Sequence, residues 1–182
     1  MEKQKVKIKL NDGIMPKKAT DGSAAYDLFC PKDTLLKFDI CTGRGRGLIP
    51  LGFQVQMPIG ICMNIRPRSG FSLKGIEAKI VFYDEFGYVV HEMDGVRVDA
   101  DFSIGLVDSD YVKDEVGAIY HVNSLNFPKP KANYAYFRII IPKGTRLAQA
   151  QFEFVPDIFL EKCDELDYSL DRGGGFGHTG AK

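Results

Sequence analysis

The sequence predicts an all-β fold, a barrel or a jelly-roll-like sandwich built from short strands. Apolar and polar residues alternate in several segments, as they do in strands with one buried face. Glycine and proline, 19 and 9 of the 182 residues, supply the turns that many short strands need. No window of about a dozen residues carries the apolar stripe of an amphipathic helix, and we expect at most one short helix, at residues 73–78.

The alternation of apolar and polar residues predicts where the individual strands lie along the chain. The segments with a period of two are residues 6–10, 53–57, 61–65 and 148–154. Residues 134–141 are aromatic and β-branched, which also favours a strand. Residues 42–47, in which glycine alternates with threonine and arginine, are interpreted as a flexible basic loop.

One hairpin and one tail complete the organisation. Residues 79–90 predict a β-hairpin whose turn is Asp84-Glu85-Phe86-Gly87. Residues 170–182 are dense in glycine and lack a core pattern, which predicts a flexible C-terminal arm. We therefore expect one β domain, residues 1–169, followed by that arm.

Composition excludes several classes of protein. The 24 Lys and Arg residues balance 24 Asp and Glu residues, which argues against a general nucleic-acid binder. No apolar run is long enough to span a membrane, and the N-terminus lacks the apolar core of a signal peptide. The four cysteines show no metal-binding spacing, so we interpret them as reduced thiols of a cytoplasmic protein.

Five segments depart from the strand pattern, and two of them come before the hairpin. Residues 21–28 place the carboxylate of Asp27 among small residues, although a turn followed by a strand explains this equally well. Arg68, Ser69 and Gly70 follow a predicted strand and combine a guanidinium, a hydroxyl and an accessible backbone. These three groups suit an anion cradle, and a surface turn is the alternative.

The other three segments lie in the second half of the chain. In residues 105–111, Asp108 and Asp110 share one side of an extended strand, so one could act as a general base; an acidic turn is the alternative. Residues 144–150 form a glycine turn and a strand that projects Gln149. Residues 172–180 set an arginine and a phenylalanine among glycines, which suits phosphate wrapping and base stacking as well as a simple tail.

Taken together and in this order, the five segments resemble the five motifs of the trimeric dUTPases (dUTP diphosphatases). The matching sequences are Ser-Ala-Ala-Tyr-Asp-Leu at 23–28, Pro-Arg-Ser-Gly at 67–70 with Lys-Gly-Ile at 74–76, Gly-Leu-Val-Asp-Ser-Asp-Tyr at 105–111, Gly-Thr-Arg-Leu-Ala-Gln at 144–149, and the run 172–180. The resemblance implies a distorted jelly-roll (β-clip) subunit, a homotrimer with active sites at subunit interfaces, and hydrolysis of dUTP to dUMP and pyrophosphate with Mg²⁺. Such an activity keeps uracil out of DNA and supplies dUMP for thymidylate synthesis, in the cytoplasm of the cell or of an infected host.

The resemblance also assigns roles to individual residues. Asp108 would activate the attacking water, and Tyr111 would lie against the deoxyribose. The residues implied in substrate binding are Arg68, Ser69, Gly70, Gly105, Leu106, Val107, Tyr111, Gly117, Gln149, Arg172, Phe176 and Gly177. No direct protein ligand for Mg²⁺ follows, since the phosphates would hold the metal, with Asp27 acting through water.

Two alternatives share this fold. One is a dCTP deaminase-like or bifunctional nucleotide enzyme, and the other is a non-catalytic regulatory relative. The chain also departs from the family pattern by a longer segment between motifs two and three. We interpret residues 79–98 as an inserted hairpin, which would extend the trimer surface, bind a partner or be a neutral decoration.

Overall fold

The alternating segments form strands in the computed structural model, which describes residues 3–169. Within that range the elements are β1 (Lys7–Leu10), β2 (Tyr26–Phe29), β3 (Thr34–Leu35), β4 (Gly45–Pro50), β5 (Phe53–Gln56), β6 (Ile61–Pro67), α1 (Ser69–Lys74), β7 (Ile76–Tyr83), β8 (Val89–Phe102), β9 (Gly105–Val107), β10 (Gly117–Ser124), β11 (Tyr136–Ile141) and β12 (Arg146–Phe154). The predicted all-β class is confirmed. The described part of the chain holds no helix long and apolar enough to cross a membrane.

The strands make three sheets around one hydrophobic core. A six-stranded sheet has the order β3-β11-β7-β8-β10-β4, a four-stranded sheet the order β2-β12-β6-β9, and β1 pairs with β5. Buried side chains from all three sheets, such as Val55, Ile65 and Ile80, join the same core cluster. Apart from the β7–β8 pair, all neighbouring strands are non-consecutive in the chain, as expected for a distorted jelly roll rather than a simple meander.

The helix begins earlier than predicted. It spans Ser69–Lys74, whereas we expected a helix at residues 73–78. Gly75 ends it with a φ of 74°, and its N–H donates to the carbonyl of Phe71. A side chain at position 75 would lie 2.2 Å from the Val98 carbonyl oxygen, so only glycine allows the chain to turn here into β7.

The basic glycine-rich segment 42–47 is only partly a loop. Its second half, Gly45–Gly47, belongs to β4, which pairs with β10. Tyr120 of β10 lies against Gly47, where a Cβ would come within 2.7 Å of the phenolic oxygen. The same oxygen accepts a hydrogen bond from the Lys37 backbone N–H at 2.7 Å. The glycine therefore makes room for a buried tyrosine, and the flexible-loop interpretation of the whole segment is wrong.

Strands β7 and β8 form a long antiparallel hairpin that contains residues 79–98. Its turn lies at the expected residues, where Asp84 Oδ1 accepts hydrogen bonds from the N–H groups of Phe86 and Tyr88 at 3.0 and 2.8 Å. β7 pairs on its other side with β11, and the end of β8 pairs with β10. The hairpin is thus part of the six-stranded sheet, and β7 contributes buried residues to the core.

The core role of this hairpin can be tested by comparing two of its phenylalanines. Phe82 is fully buried and packs its ring 4.8 Å from that of Tyr134, whereas Phe86 at the turn is 78% exposed. We expect Phe82→Ala to lower the free energy of unfolding by about 3–5 kcal/mol. Phe86→Ala should change it by less than about 0.5 kcal/mol. Chemical denaturation of both variants measures the difference, and equal stabilities would contradict the integral role of the hairpin.

Candidate active site

A cavity of about 520 Å³ lies between the four-stranded and six-stranded sheets, beside helix α1. Four of the residues predicted from motifs two and four line it together: Arg68, Ser69, Gly70 and Gln149. They meet because β6 ends directly before α1 and pairs with β12, which places Gln149 opposite Arg66. The Gln149 amide donates to the Pro67 carbonyl at 3.3 Å, so its side chain is directed towards the start of the helix.

Basic side chains dominate the cavity wall. Besides Arg68, the cavity is lined by Lys74, Arg97 and Arg146, against the single carboxylate of Glu77. Ser69 and Gly70 are exposed in the first turn of α1, and nothing lies within 4 Å of the position a Gly70 Cβ would take. A wall with several guanidinium groups, a hydroxyl and open backbone suits a multiply charged anion such as a polyphosphate.

Asp27 orients two of these arginines. It is 9% exposed on β2, and its Oδ1 lies 3.2 Å from Arg68 Nε while its Oδ2 lies 3.5 Å from Arg146. Both carboxylate oxygens therefore face guanidinium groups. Asp27 is thus the shared counter-ion of the two arginines. Its predicted action on a metal through water stays a prediction.

Motif three lies on a different part of the molecule. Strand β9 pairs with β6 at one edge of the four-stranded sheet, with Val107 opposite Met63. The Val107 side chain is buried, so only its backbone can meet a ligand, while Leu106 is exposed and Gly105 half-buried. Asp108 follows the strand with an exposed side chain, and its carbonyl accepts the Tyr111 N–H at 3.2 Å in a tight turn.

The loop after this turn is tied to the small sheet. Tyr111 is exposed and donates its hydroxyl to the Glu115 carbonyl at 3.2 Å. The side-chain amide of Gln54 donates to the Lys113 carbonyl. Gly117 begins β10, where a Cβ would lie 2.6 Å from the side chain of Leu48, so a larger residue there would displace this exposed leucine.

The predicted site residues consequently fall into three groups. Arg68, Ser69, Gly70 and Gln149 share one cavity. The motif-three residues and Gly117 do not line it: Gly105, Leu106, Val107, Asp108, Tyr111 and Gly117. Residues Arg172, Phe176 and Gly177 lie outside the described residues. Lys74 and Arg146, which also line the cavity, lie within motifs two and four, so the motifs themselves are the signal for them. Arg97 lies outside every motif, so no local signal points to it.

The described residues offer no ready-made metal cage. Within residues 3–169, no group of three or more His, Cys, Asp or Glu residues is arranged to hold an ion. Mg²⁺ is commonly bound through substrate phosphates with few protein ligands, so this donor set fits a metal that arrives with a polyphosphate.

Comparison with known proteins identifies relatives of the whole chain. The family model for dUTPase matches residues 11–87. The deoxyuridine 5′-triphosphate nucleotidohydrolase of a Hydrogenobaculum species is 30% identical over 177 residues, which cover 97% of each chain.

Solved structures share the fold. A Staphylococcus bacteriophage 80alpha dUTPase with dUpNHpp is 20% identical, covers 97% of this chain and 99% of its own, and has a TM-score of 0.71. A dUTPase mutant from phage phi11 of S. aureus, described for the coordination of a structural Mg(II) ion, is 17% identical, covers 90% and 99% of the two chains, and has a TM-score of 0.64. With a relative that matches over nearly its full length, the chain belongs to the dUTPase family.

Proposed function

We propose that the chain hydrolyses dUTP to dUMP and pyrophosphate. The observation that carries the proposal is the cavity in which Arg68, Ser69, Gly70 and Gln149 meet, because these residues come from two separate motifs of the family. Family membership and the charge of the cavity wall point to the same class of substrate, a nucleoside triphosphate.

The cavity residues would hold and align the phosphate chain. The Arg68 guanidinium has fork-like donors for phosphate oxygens, and Asp27 limits its freedom through the 3.2 Å contact to Nε. The Ser69 hydroxyl, the exposed backbone at Gly70 and the Gln149 amide add further donors. Phosphoryl transfer depends mainly on alignment and charge neutralisation, which such a wall supplies.

Motif three would supply the base and the nucleoside pocket. Asp108 has an exposed carboxylate at the end of β9 and would take a proton from the water that attacks the α-phosphorus. Tyr111 would lie against the deoxyribose and leave no space for a 2′-hydroxyl, which discriminates against UTP. Backbone groups of Gly105–Val107 and Gly117 would read the uracil.

The separation of the phosphate cavity from the motif-three residues supports an active site shared between subunits of a homotrimer. Asp108 and the phosphate cavity lie on different parts of one chain, so each complete site would combine two subunits. An extended segment after β12 also supports assembly, because it exposes large apolar side chains, Phe159 at 86% and Leu160 at 88%. Such a surface is typical of a protein interface, and a second copy of the chain is the partner we propose for it.

The C-terminal arm would complete the site of a neighbouring subunit. Phe176 would stack on the uracil, Gly177 would contact the substrate, and Arg172 would neutralise the terminal phosphates. This part of the proposal rests on the motif alone, since these residues lie outside the described range. An arm that closes over a bound nucleotide excludes water other than the nucleophile.

Mg²⁺ is the proposed cofactor. When bound to the phosphate chain, the ion neutralises charge and fixes the conformation of the phosphates. The arginine contacts of both Asp27 oxygens support a role for this residue in arranging the cavity rather than as a direct ligand.

The role of Asp27 gives a testable prediction. Asp27→Asn removes the counter-ion shared by Arg68 and Arg146, so we expect turnover to fall by at least about tenfold as the phosphate chain loses its alignment. Asp12→Asn is the matched control, because its carboxylate pairs with Lys32 at 3.5 Å on the surface outside the cavity. Steady-state kinetics decide, and equal activity of the two variants would contradict the orienting role.

A substrate panel tests the proposed function. Purified protein with Mg²⁺ should release pyrophosphate from dUTP and much less from dCTP, dTTP and UTP. Ammonia released from dCTP would favour the deaminase-like alternative, and no pyrophosphate from dUTP would favour the non-catalytic one.

We propose that the reaction takes place in the cytoplasm of the cell or host. The four cysteines, which form no disulfide, support this location.

A further inference from the structure

We propose that Arg97, on the β7–β8 hairpin, binds the phosphate chain of the substrate from the side opposite Gln149. Arg97 lies in the segment that is longer than the family pattern, so this hairpin would contribute to the active site instead of only decorating the surface. The identity of the ligand as a nucleoside triphosphate rests on the proposed function, whereas the claim of polyphosphate binding stands on the cavity itself.

A β-bulge at the base of the hairpin brings β8 to the cavity. Ala78 pairs with Val96 and Ile80 with Met93, so both Asp94 and Gly95 stand opposite Lys79. Gly95 has a φ of 65°, as the extra residue of such a bulge often does. Bulges bend strands and are frequent next to active sites, and here Gly95 and Arg97 both line the cavity.

The Arg97 guanidinium is anchored but still has free donors. One terminal nitrogen lies 2.9 Å from Glu77 Oε2, and the other donates to the Gly75 carbonyl at 3.3 Å. These contacts connect Arg97 to the end of the helix whose first turn holds Ser69 and Gly70. A guanidinium has five N–H groups, so these two contacts leave donors for a phosphate oxygen.

The charges of the wall favour an anion that spans the cavity. Arg68 and Arg146 approach it from the ends of β6 and β12 in the four-stranded sheet, and their shared counter-ion is Asp27. Arg97 approaches from the six-stranded sheet, with Glu77 as its partner. Asp27 balances only one of its two arginines, and Glu77 balances Arg97. Lys74 adds a further positive charge, so the net charge of the cavity wall is positive. A phosphate chain between the sheets would therefore meet arginines on both sides.

The experiment measures binding to Arg97→Gln and to a matched control, Lys79→Gln. Lys79 pairs with Glu92 across the same hairpin at 2.7 Å, so its loss removes a comparable ion pair outside the cavity. Calorimetry with inorganic tripolyphosphate and with dUpNHpp, both with Mg²⁺, should show about tenfold weaker binding to Arg97→Gln, the loss of one charge-assisted contact. Arg97→Lys should be weakened less, while Lys79→Gln should match the unaltered protein.

The outcomes separate this proposal from the proposed function. Equal affinities of Arg97→Gln and Lys79→Gln for tripolyphosphate, or no binding by the unaltered protein, would overturn the role of Arg97 even if dUTP is hydrolysed. Weaker binding by Arg97→Gln in a protein that does not hydrolyse dUTP would support Arg97 and overturn the proposed function. If Arg97→Gln fails to fold, Arg97→Lys decides, because lysine keeps the charge but lacks the forked donors of a guanidinium. It should bind tripolyphosphate more weakly than the unaltered protein, and an equal affinity would contradict the proposal.

Discussion

Replacement of Asp108 by asparagine should lower kcat for dUTP by about a thousandfold, since a positioned general base contributes factors of this order. Asparagine keeps the shape of the side chain but cannot accept the proton of the attacking water. The turn itself should persist, because it is the backbone carbonyl of Asp108 that accepts the Tyr111 N–H. We therefore expect the affinity for dUpNHpp to change by less than about threefold, in line with a loss confined to the transition state.

Asp114→Asn provides the control for this experiment. Asp114 is an exposed carboxylate of the same loop, three residues beyond Tyr111 and outside the predicted site. Its replacement should leave both kcat and affinity close to those of the unaltered protein. A parallel loss of binding and turnover in Asp108→Asn would contradict the assignment of the base, as would an equal loss in Asp114→Asn.

Two inactive variants should restore activity when they assemble together. Arg68→Gln damages the phosphate cavity and Asp108→Asn damages the base, so homotrimers of either variant should be nearly inactive. Co-assembly would place the intact Asp108 of one chain beside the intact Arg68 of another. With equal random mixing, about a quarter of all interfaces carry both intact residues, and within trimers that contain both variants the fraction is about one third.

The predicted result is thus about a third of the unaltered activity for purified trimers that contain both variants, and about a quarter for the unpurified mixture. Subunits with distinguishable tags, purified as mixed assemblies after co-expression, allow this measurement. Asp114→Asn co-assembled with Asp108→Asn controls for subunit exchange itself. Mixed assemblies of Arg68→Gln and Asp108→Asn that stay inactive would show that the base and the phosphate cavity do not meet across an interface.

Local patterns predicted much of the fold. The alternating residues 61–65 and 148–154 both lie within observed strands, β6 and β12, and Ile61, Met63, Ile65, Ala148 and Ala150 are buried in the core as the alternation predicts. The hairpin turn at residues 84–87 was visible because its aspartate and glycine suit a tight turn. These features depend on residues that are close together in the chain, so they can be predicted from the sequence alone.

Other features depend on contacts between distant segments. Gly47 lies in a strand because β4 pairs with β10, and it is a glycine because the ring of Tyr120 occupies the adjacent space. No local pattern reveals either contact. The helix was predicted too far along the chain, at residues 73–78. It ends at Lys74 because Val98 approaches the backbone of Gly75 so closely that the chain must turn there.

In the candidate site, too, some residues are predictable from local motifs and others only from contacts between distant segments. Arg68, Ser69, Gly70 and Gln149 were selected from their motifs, and the structure places them around one cavity. The role of Asp27 as a shared counter-ion depends on the pairing of β2 with β12. Arg97 reaches the same cavity from β8, next to a bulge that only the pairing of β7 with β8 reveals.

The reaction in ¹⁸O-labelled water tests the central claim most directly. Hydrolysis of dUTP by attack at the α-phosphorus places the label in dUMP and leaves pyrophosphate unlabelled. We predict that dUMP and pyrophosphate form in equal amounts, with one labelled oxygen in each dUMP and none in pyrophosphate. Label in pyrophosphate, or formation of dUDP and phosphate, would contradict the account.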